Sequence, residues 1–218
     1  MSHEIVDIKV LLKSLEEAVK DPEKILTKDT PNPLTNTKHR EALTLFLIAV
    51  ALNKSYEEQG NSTHIDVCKN DNESDSLDGY LKVKYPDGTE QELEFEQVML
   101  TVEEIKTTNS QMDISDLVIE KIKQKHDKGY DNPKEVTLVV FLDIKGKLIP
   151  KKVKSYIKDN NFFLFYIIIV LNPEGKKEGS YVYKVVDLNP ERKGNHSRLT
   201  VRINHDFSGY EVNLDEEG

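Results

Sequence analysis

The densest group of chemistry-bearing side chains in the sequence lies between Asp78 and Glu96, where two short runs flank Pro86-Asp87-Gly88. That tripeptide suits a type I turn followed by a glycine in the left-handed conformation, so residues 79–85 and 90–100 read as a hairpin. In the register this turn sets, Tyr85 pairs with Thr89, Tyr80 with Glu94 and Asp78 with Glu96. Alternation then places Asp78, Tyr80, Lys82, Glu92, Glu94 and Glu96 on one face, and Leu81, Val83, Leu93, Phe95 and Met99 on the core face. Asp78, Glu94 and Glu96 can converge on a hard cation such as Mg²⁺ or Mn²⁺. Such an ion neutralises developing charge and lowers the pKa of a bound water, which is what phosphodiester hydrolysis requires. A nearby lysine would stabilise the pentavalent state. The same face has a second explanation, in which Lys82 and Lys84 pair with Glu90, Glu92 and Glu94 across the hairpin. Such pairs are worth roughly 0.2–1 kcal/mol each and need no function.

Other groups point less sharply to chemistry. His64-Ile-Asp66-Val-Cys68 sets three metal-ligand types on one strand face, too close together to enclose an ion, and reads as a partly buried edge strand. His3, His39, His126, His196 and His205 show no metal spacing. The 10 glycines are scattered through turns and form no phosphate loop. No serine elbow is present, and Cys68 has no activating context. The basic groups Lys151-Lys152-x-Lys154 and Lys121-x-Lys123-x-Lys125 can touch phosphate or serve as solvated helix faces.

The elements that would position these residues follow from periodicity. Ile5, Ile8, Leu12, Leu15 and Val19 predict an amphipathic helix over 4–20, ended by Asp21-Pro22. The helix over 38–59 is apolar nearly all round and must be covered on several sides. Residues 64–68 suit a short strand, and 69–76 a polar loop. Asp113 or Ser115 can cap a helix that ends at Gly129. The runs 136–144 and 162–171 are apolar on both faces, as in parallel strands covered by helices, with a short helix opened by Pro150 between them. Residues 180–188 and 198–203 add two antiparallel strands, and 204–218 reads as a polar tail.

From 38 to 171 the order is therefore helix, strand, acidic hairpin, helix, strand, helix, strand. With Asp78-Gly-Tyr-Leu-Lys-Val, the turn, Leu93-Glu-Phe-Glu-Gln-Val98 and the lysine-rich Ile119-Glu-Lys-Ile-Lys-Gln-Lys-His-Asp-Lys-Gly-Tyr130, this stretch resembles the PD-(D/E)XK nuclease superfamily. The resemblance implies that Asp78 and Glu94 are the metal-binding acids. Glu96 stands where the family usually has lysine, and Lys125 or Lys82 would supply the missing charge. Glu41, on the second helix, would orient a metal-bound water. It further implies an α/β fold with a mixed central sheet flanked by helices, a restriction-endonuclease-like core. Residues 1–30 would be an N-terminal helical arm and linker, and 31–218 a single nuclease-like domain.

Composition bounds these readings. Hydrophobic residues make up 37% and charged residues 32% of 218, so a real core lies beneath a heavily solvated surface. The single cysteine excludes a disulfide framework and makes a reducing, cytoplasmic setting the expectation. No signal peptide is visible at 1–9, and the longest apolar run is about half a membrane span, so no membrane partner is expected. A net charge of −9 argues against a protein whose whole surface grips nucleic acid, though not against a small cleft that cuts it. The sequence thus supports a Mg²⁺- or Mn²⁺-dependent nuclease acting on DNA or RNA. The alternative is a catalytically inactive nuclease-like binding or assembly protein. A third reading is an unrelated α/β interaction protein that forms a homodimer through its N-terminal helix.

Overall fold

The computed structural model describes residues 4–20, 37–68, 79–101, 112–143, 146–172, 180–188 and 198–215. Their strands form one nine-stranded sheet in which each strand pairs with the next in sequence. The order is β1 (Ile5–Val6), β2 (His64–Cys68), β3 (Gly79–Lys84), β4 (Glu90–Thr101), β5 (Val136–Asp143), β6 (Phe165–Asn172), β7 (Ser180–Asp187), β8 (Arg198–Asn204) and β9 (Tyr210–Leu214). Pairing is antiparallel except along β4–β5–β6, which run parallel. Two parallel steps need crossovers, and helices α3 (Ser115–His126) and α4 (Pro150–Asp159) supply them. The other helices are α1 (Ile8–Lys20) and α2 (Thr37–Glu58).

The sheet curls into a half-barrel around α2. That helix touches β2 and β3 near one edge of the sheet and β7, β8 and β9 near the other. Its all-round apolarity explains the wrapping, since Leu43, Phe46, Leu47, Ile48 and Ala51 are all fully buried. The Phe46 ring meets Tyr210 of β9 edge-on at 5.1 Å. On this inner face Leu81, Val83, Leu93, Phe95, Val139, Phe141 and Ile169 join the α2 core. The outer face carries a second core, in which Val118 and Ile122 of α3 and Val153 and Ile157 of α4 pack on Val136, Leu138, Val140 and Ile168. Uninterrupted apolar runs in β5 and β6 follow from this arrangement, because both faces of those strands are covered.

This architecture corrects the expected fold class. The molecule is a nine-stranded mixed, curled half-barrel and not a small restriction-endonuclease-like core. The difference comes from strands recruited at both edges. Residues 210–214, read as tail, alternate Tyr-Glu-Val-Asn-Leu and pair with β8 through Val201↔Val212. At the other edge Ile5 and Val6, read as the start of a helix, pair with Cys68 and Val67. The helix begins only at Ile8, because the Asp7 carboxylate accepts the Lys9 backbone N–H at 2.7 Å. Leu15 of α1 is fully buried, with Ile8, Leu11 and Leu12 against the α2 core, so the chain itself covers most of the arm's stripe. Ile5 of the same stripe is 40% exposed.

Beyond the reach of the two-residue β1, the Asn53 side chain of α2 takes its place. It accepts the Ile65 backbone N–H at 2.7 Å and donates to the Ile65 carbonyl at 2.8 Å. A ladder edge that would otherwise be open is thereby closed by a side chain.

Candidate functional site

The hairpin that carries the candidate acids has the register its turn demands. Tyr80 faces Glu94, Lys82 faces Glu92 and Lys84 faces Glu90. The Tyr85 N–H donates to the Thr89 carbonyl at 2.9 Å, and Gly88 sits at φ 84°, in the left-handed region glycine tolerates. Lys82 pairs with Glu90 at 3.0 Å and Lys84 with Asp66 at 2.8 Å, so cross-strand ion pairs occupy much of this face. His64 lies 3.2 Å from Asp66, and Cys68 is buried. The three ligand types of β2 are thus spent on strand neighbours and core.

Farther along β4 the same face changes character. Glu96 lies beside Leu138 of the parallel β5 and beneath the last turn of α3, and its side chain is only 4% exposed. A carboxylate this deep persists only with partners, because desolvation of an unpaired charge is prohibitive. Three groups from one short segment converge on its Oε1. The Lys125 ammonium, itself 12% exposed, forms an ion pair with it. The Tyr130 hydroxyl donates to it at 2.9 Å. Lys128 stands 3.9 Å away from the solvent side. Gly129, at φ 73°, reverses the chain after the helix so that Lys125 and Tyr130 both reach back to one atom. The second oxygen, Oε2, is buried and has no hydrogen-bond partner among the described residues.

Next to this cluster α3 presents His126 to an aromatic wall. Its ring lies 4.9 Å from Phe162, 5.4 Å from Phe163 and, stacked, 6.4 Å from Tyr156. The Tyr166 hydroxyl accepts the Phe162 and Phe163 backbone N–H groups at 3.0 Å each and lies 3.2 Å from His126 Nε2. With both N–H groups aimed at its oxygen, the one proton of that hydroxyl has two acceptors within reach, His126 Nε2 and the Asn160 carbonyl at 3.4 Å. Burial pushes the His126 pKa down and the Tyr166 pKa up. At the opposite end of α3, Asp113 accepts the Ser115 N–H at 2.9 Å and pairs with Lys152 of α4 at 3.1 Å. The Ser115 bonds, followed by Lys152, hold the Asp113 carboxyl down at about 2. Lys152 also reaches Asp116 at 2.7 Å, so this lysine of the 151–154 basic group ties α4 to α3.

Glu96 and Lys125 are brought into direct contact. Glu94 shares their face two residues earlier on β4, opposite Tyr80 on one side and Val136 on the other. Asp78 lies outside the described residues. Glu41 belongs to α2, which packs on the face of Leu93 and Phe95, the opposite side of the sheet from Glu94 and Glu96. Tyr130 and His126 are the members that spacing alone did not assign to the site. For Tyr130 the Lys-x-x-Lys-Gly-Tyr run was the available signal, since a glycine after a helix turns the next side chain back over its last turn.

Among the described residues, no group of three or more His, Cys, Asp and Glu is placed to hold a metal ion. No helix of the described residues is long and apolar enough to cross a membrane. No family model matches the chain, and the comparison with curated proteins found no match.

Proposed function

We propose that the protein is a divalent-metal-dependent phosphodiesterase acting on nucleic acid, with β4 as its working strand. The observation that most supports this reading is the delivery of Lys125 from α3 to Glu96, on the same strand face as Glu94. Acid and base of the required types thereby meet at one spot, although the sequence has an acid where a lysine is expected. Glu96 Oε2, buried and without a hydrogen-bond partner among the described residues, suits a hard cation as an oxygen donor, and Glu94 is the second donor on that face. Asp78 is proposed as the third. When bound, Mg²⁺ or Mn²⁺ would supply Lewis acidity and a water of lowered pKa. Lys125 offsets the negative charge that builds on a phosphoryl oxygen, and Tyr130 fixes the Glu96 carboxylate by donating to Oε1. The lone cysteine fits a cytoplasmic setting for this activity.

A second reading, a binding or assembly protein without catalysis, is favoured by one specific observation. Oε1 of Glu96 already receives Lys125 and Tyr130, so the cluster closes on itself without an ion. One experiment separates the two. Purified full-length chain is incubated with supercoiled plasmid and with single-stranded RNA in Mn²⁺, Mg²⁺ or EDTA, while calorimetry follows Mn²⁺ binding. The catalytic reading expects cation-dependent cleavage that falls about a hundredfold in Glu94→Ala and in Glu96→Gln. Absence of both cleavage and Mn²⁺ binding in the wild type would leave the binding reading standing alone.

A further inference from the structure

We propose that the cleft beneath the C-terminal half of α2 binds a small neutral molecule with an apolar body and one polar group, a short alcohol or ketone. The cleft lies on the inner face of the sheet, and its volume is about 70 Å³. Its walls are Leu52 and Tyr56 of α2 with Leu81, Leu93 and Ile167 of the sheet, and Thr137 of β5 lies among them. Thr137 is 2% exposed, and its Oγ1 has no hydrogen-bond partner among the described residues. The next residues of β5 on that face, Val139 and Phe141, belong to the apolar core. A threonine here is therefore a hydroxyl placed where valine would fill the same volume without leaving a buried polar atom unsatisfied.

Size and polarity select the occupant. An apolar cavity of about 150 Å³ accommodates benzene, so roughly half that volume suits about four non-hydrogen atoms. An ordered buried water wants about three polar partners. Besides Thr137 the lining includes Ser55, whose Oγ already accepts the Gln59 side-chain N–H at 2.9 Å. The surface is otherwise mainly apolar, which favours an occupant with an aliphatic body. A hydroxyl or carbonyl on an aliphatic body satisfies Thr137 and fills the rest with apolar contact. Tyr85, which is 38% exposed, and Asp187 also line the cleft. Because Thr137 and Leu138 point to opposite faces of β5, this site is separate from the Glu96 cluster and does not depend on its proposed chemistry.

The test uses the full chain with labelled methyl groups, titrated with propan-2-ol and with acetone and followed by NMR. Saturable shifts are expected at the methyls of Leu81, Leu93, Thr137 and Ile167 for at least one of the two probes, with the Glu96 region silent. Thr137→Val should weaken that binding about tenfold without lowering the melting temperature, since valine preserves volume and removes an unsatisfied hydroxyl. Thr137→Ser, which keeps the hydroxyl, should still bind. Shifts that stay linear over the millimolar range, or that spread over all methyls, overturn the proposal. Unchanged affinity in Thr137→Val overturns the role of the hydroxyl and with it the assigned ligand class.

Discussion

Glu96 and Lys125 present the balance between a buried charge and its partner in its simplest form. Both side chains are largely removed from water, at 4% and 12% exposure. Breaking such a pair from one side leaves the other charge stranded, whereas replacing both with apolar groups removes two desolvation costs together. We therefore expect Lys125→Met to destabilise the protein by about 3 kcal/mol, and the double variant Glu96→Leu, Lys125→Met to recover most of that loss. Urea denaturation of wild type, both single variants and the double variant closes the thermodynamic cycle. Equal additive losses would mean that the two side chains do not interact. At this scale the sequence was legible in part. Spacing put Glu94 and Glu96 on one face, and the family resemblance named Lys125 or Lys82 as a cation for it. Spacing gave no sign that Glu96 would be buried, because the hairpin taken alone does not show that α3 will lie over it. Burial of a strand face is decided by an element nearly thirty residues away, and no local pattern encodes it.

The elements most legible in the sequence were those specified locally. The Pro86-Asp87-Gly88 turn dictated the β3–β4 register, and the doubly apolar runs dictated parallel β5 and β6. What escaped were the edges. Tyr210–Leu214 is polar at alternate positions, and with only Val212 partly buried it resembles a tail until β8 is there to pair with it. The layer formed by α3 and α4 on β6 has its own pH response. His126 is clamped between Tyr156 of α4 and the Phe162–Tyr166 segment, and burial holds its folded pKa below the ordinary value of 6.5. The unfolded chain therefore binds the proton more readily. Stability is full above about pH 6.5 and declines as pH falls toward the folded pKa, below which it levels off. Melting temperatures across the mildly acidic range should fall with pH in the wild type. They should fall less steeply in His126→Phe, which keeps the ring packing and removes the titration. Parallel curves for the two proteins would show that His126 titrates alike folded and unfolded.

At the scale of the whole molecule the sheet has a centre and two ends. β5 sits in the middle of nine strands, flanked by parallel partners and covered on both faces, while β1 and β9 each have one neighbour. The two halves are tied together through α2, which touches strands near both edges. Such a layout orders the molecule in time as well as in space, because an amide exchanges with solvent only when its own hydrogen bond opens. Opening can begin at either rim without disturbing the middle, but freeing β5 requires lifting α2, α3 and α4 together. Deuterium uptake under native conditions should therefore proceed inward from Ile5–Val6 and Tyr210–Leu214, and Val139, Val140 and Phe141 should exchange last, at the rate of global unfolding. Uniform uptake across the nine strands would mean that the half-barrel opens as one unit. A gradient from rim to middle would make the sheet's sequential order a record of how the native state comes apart.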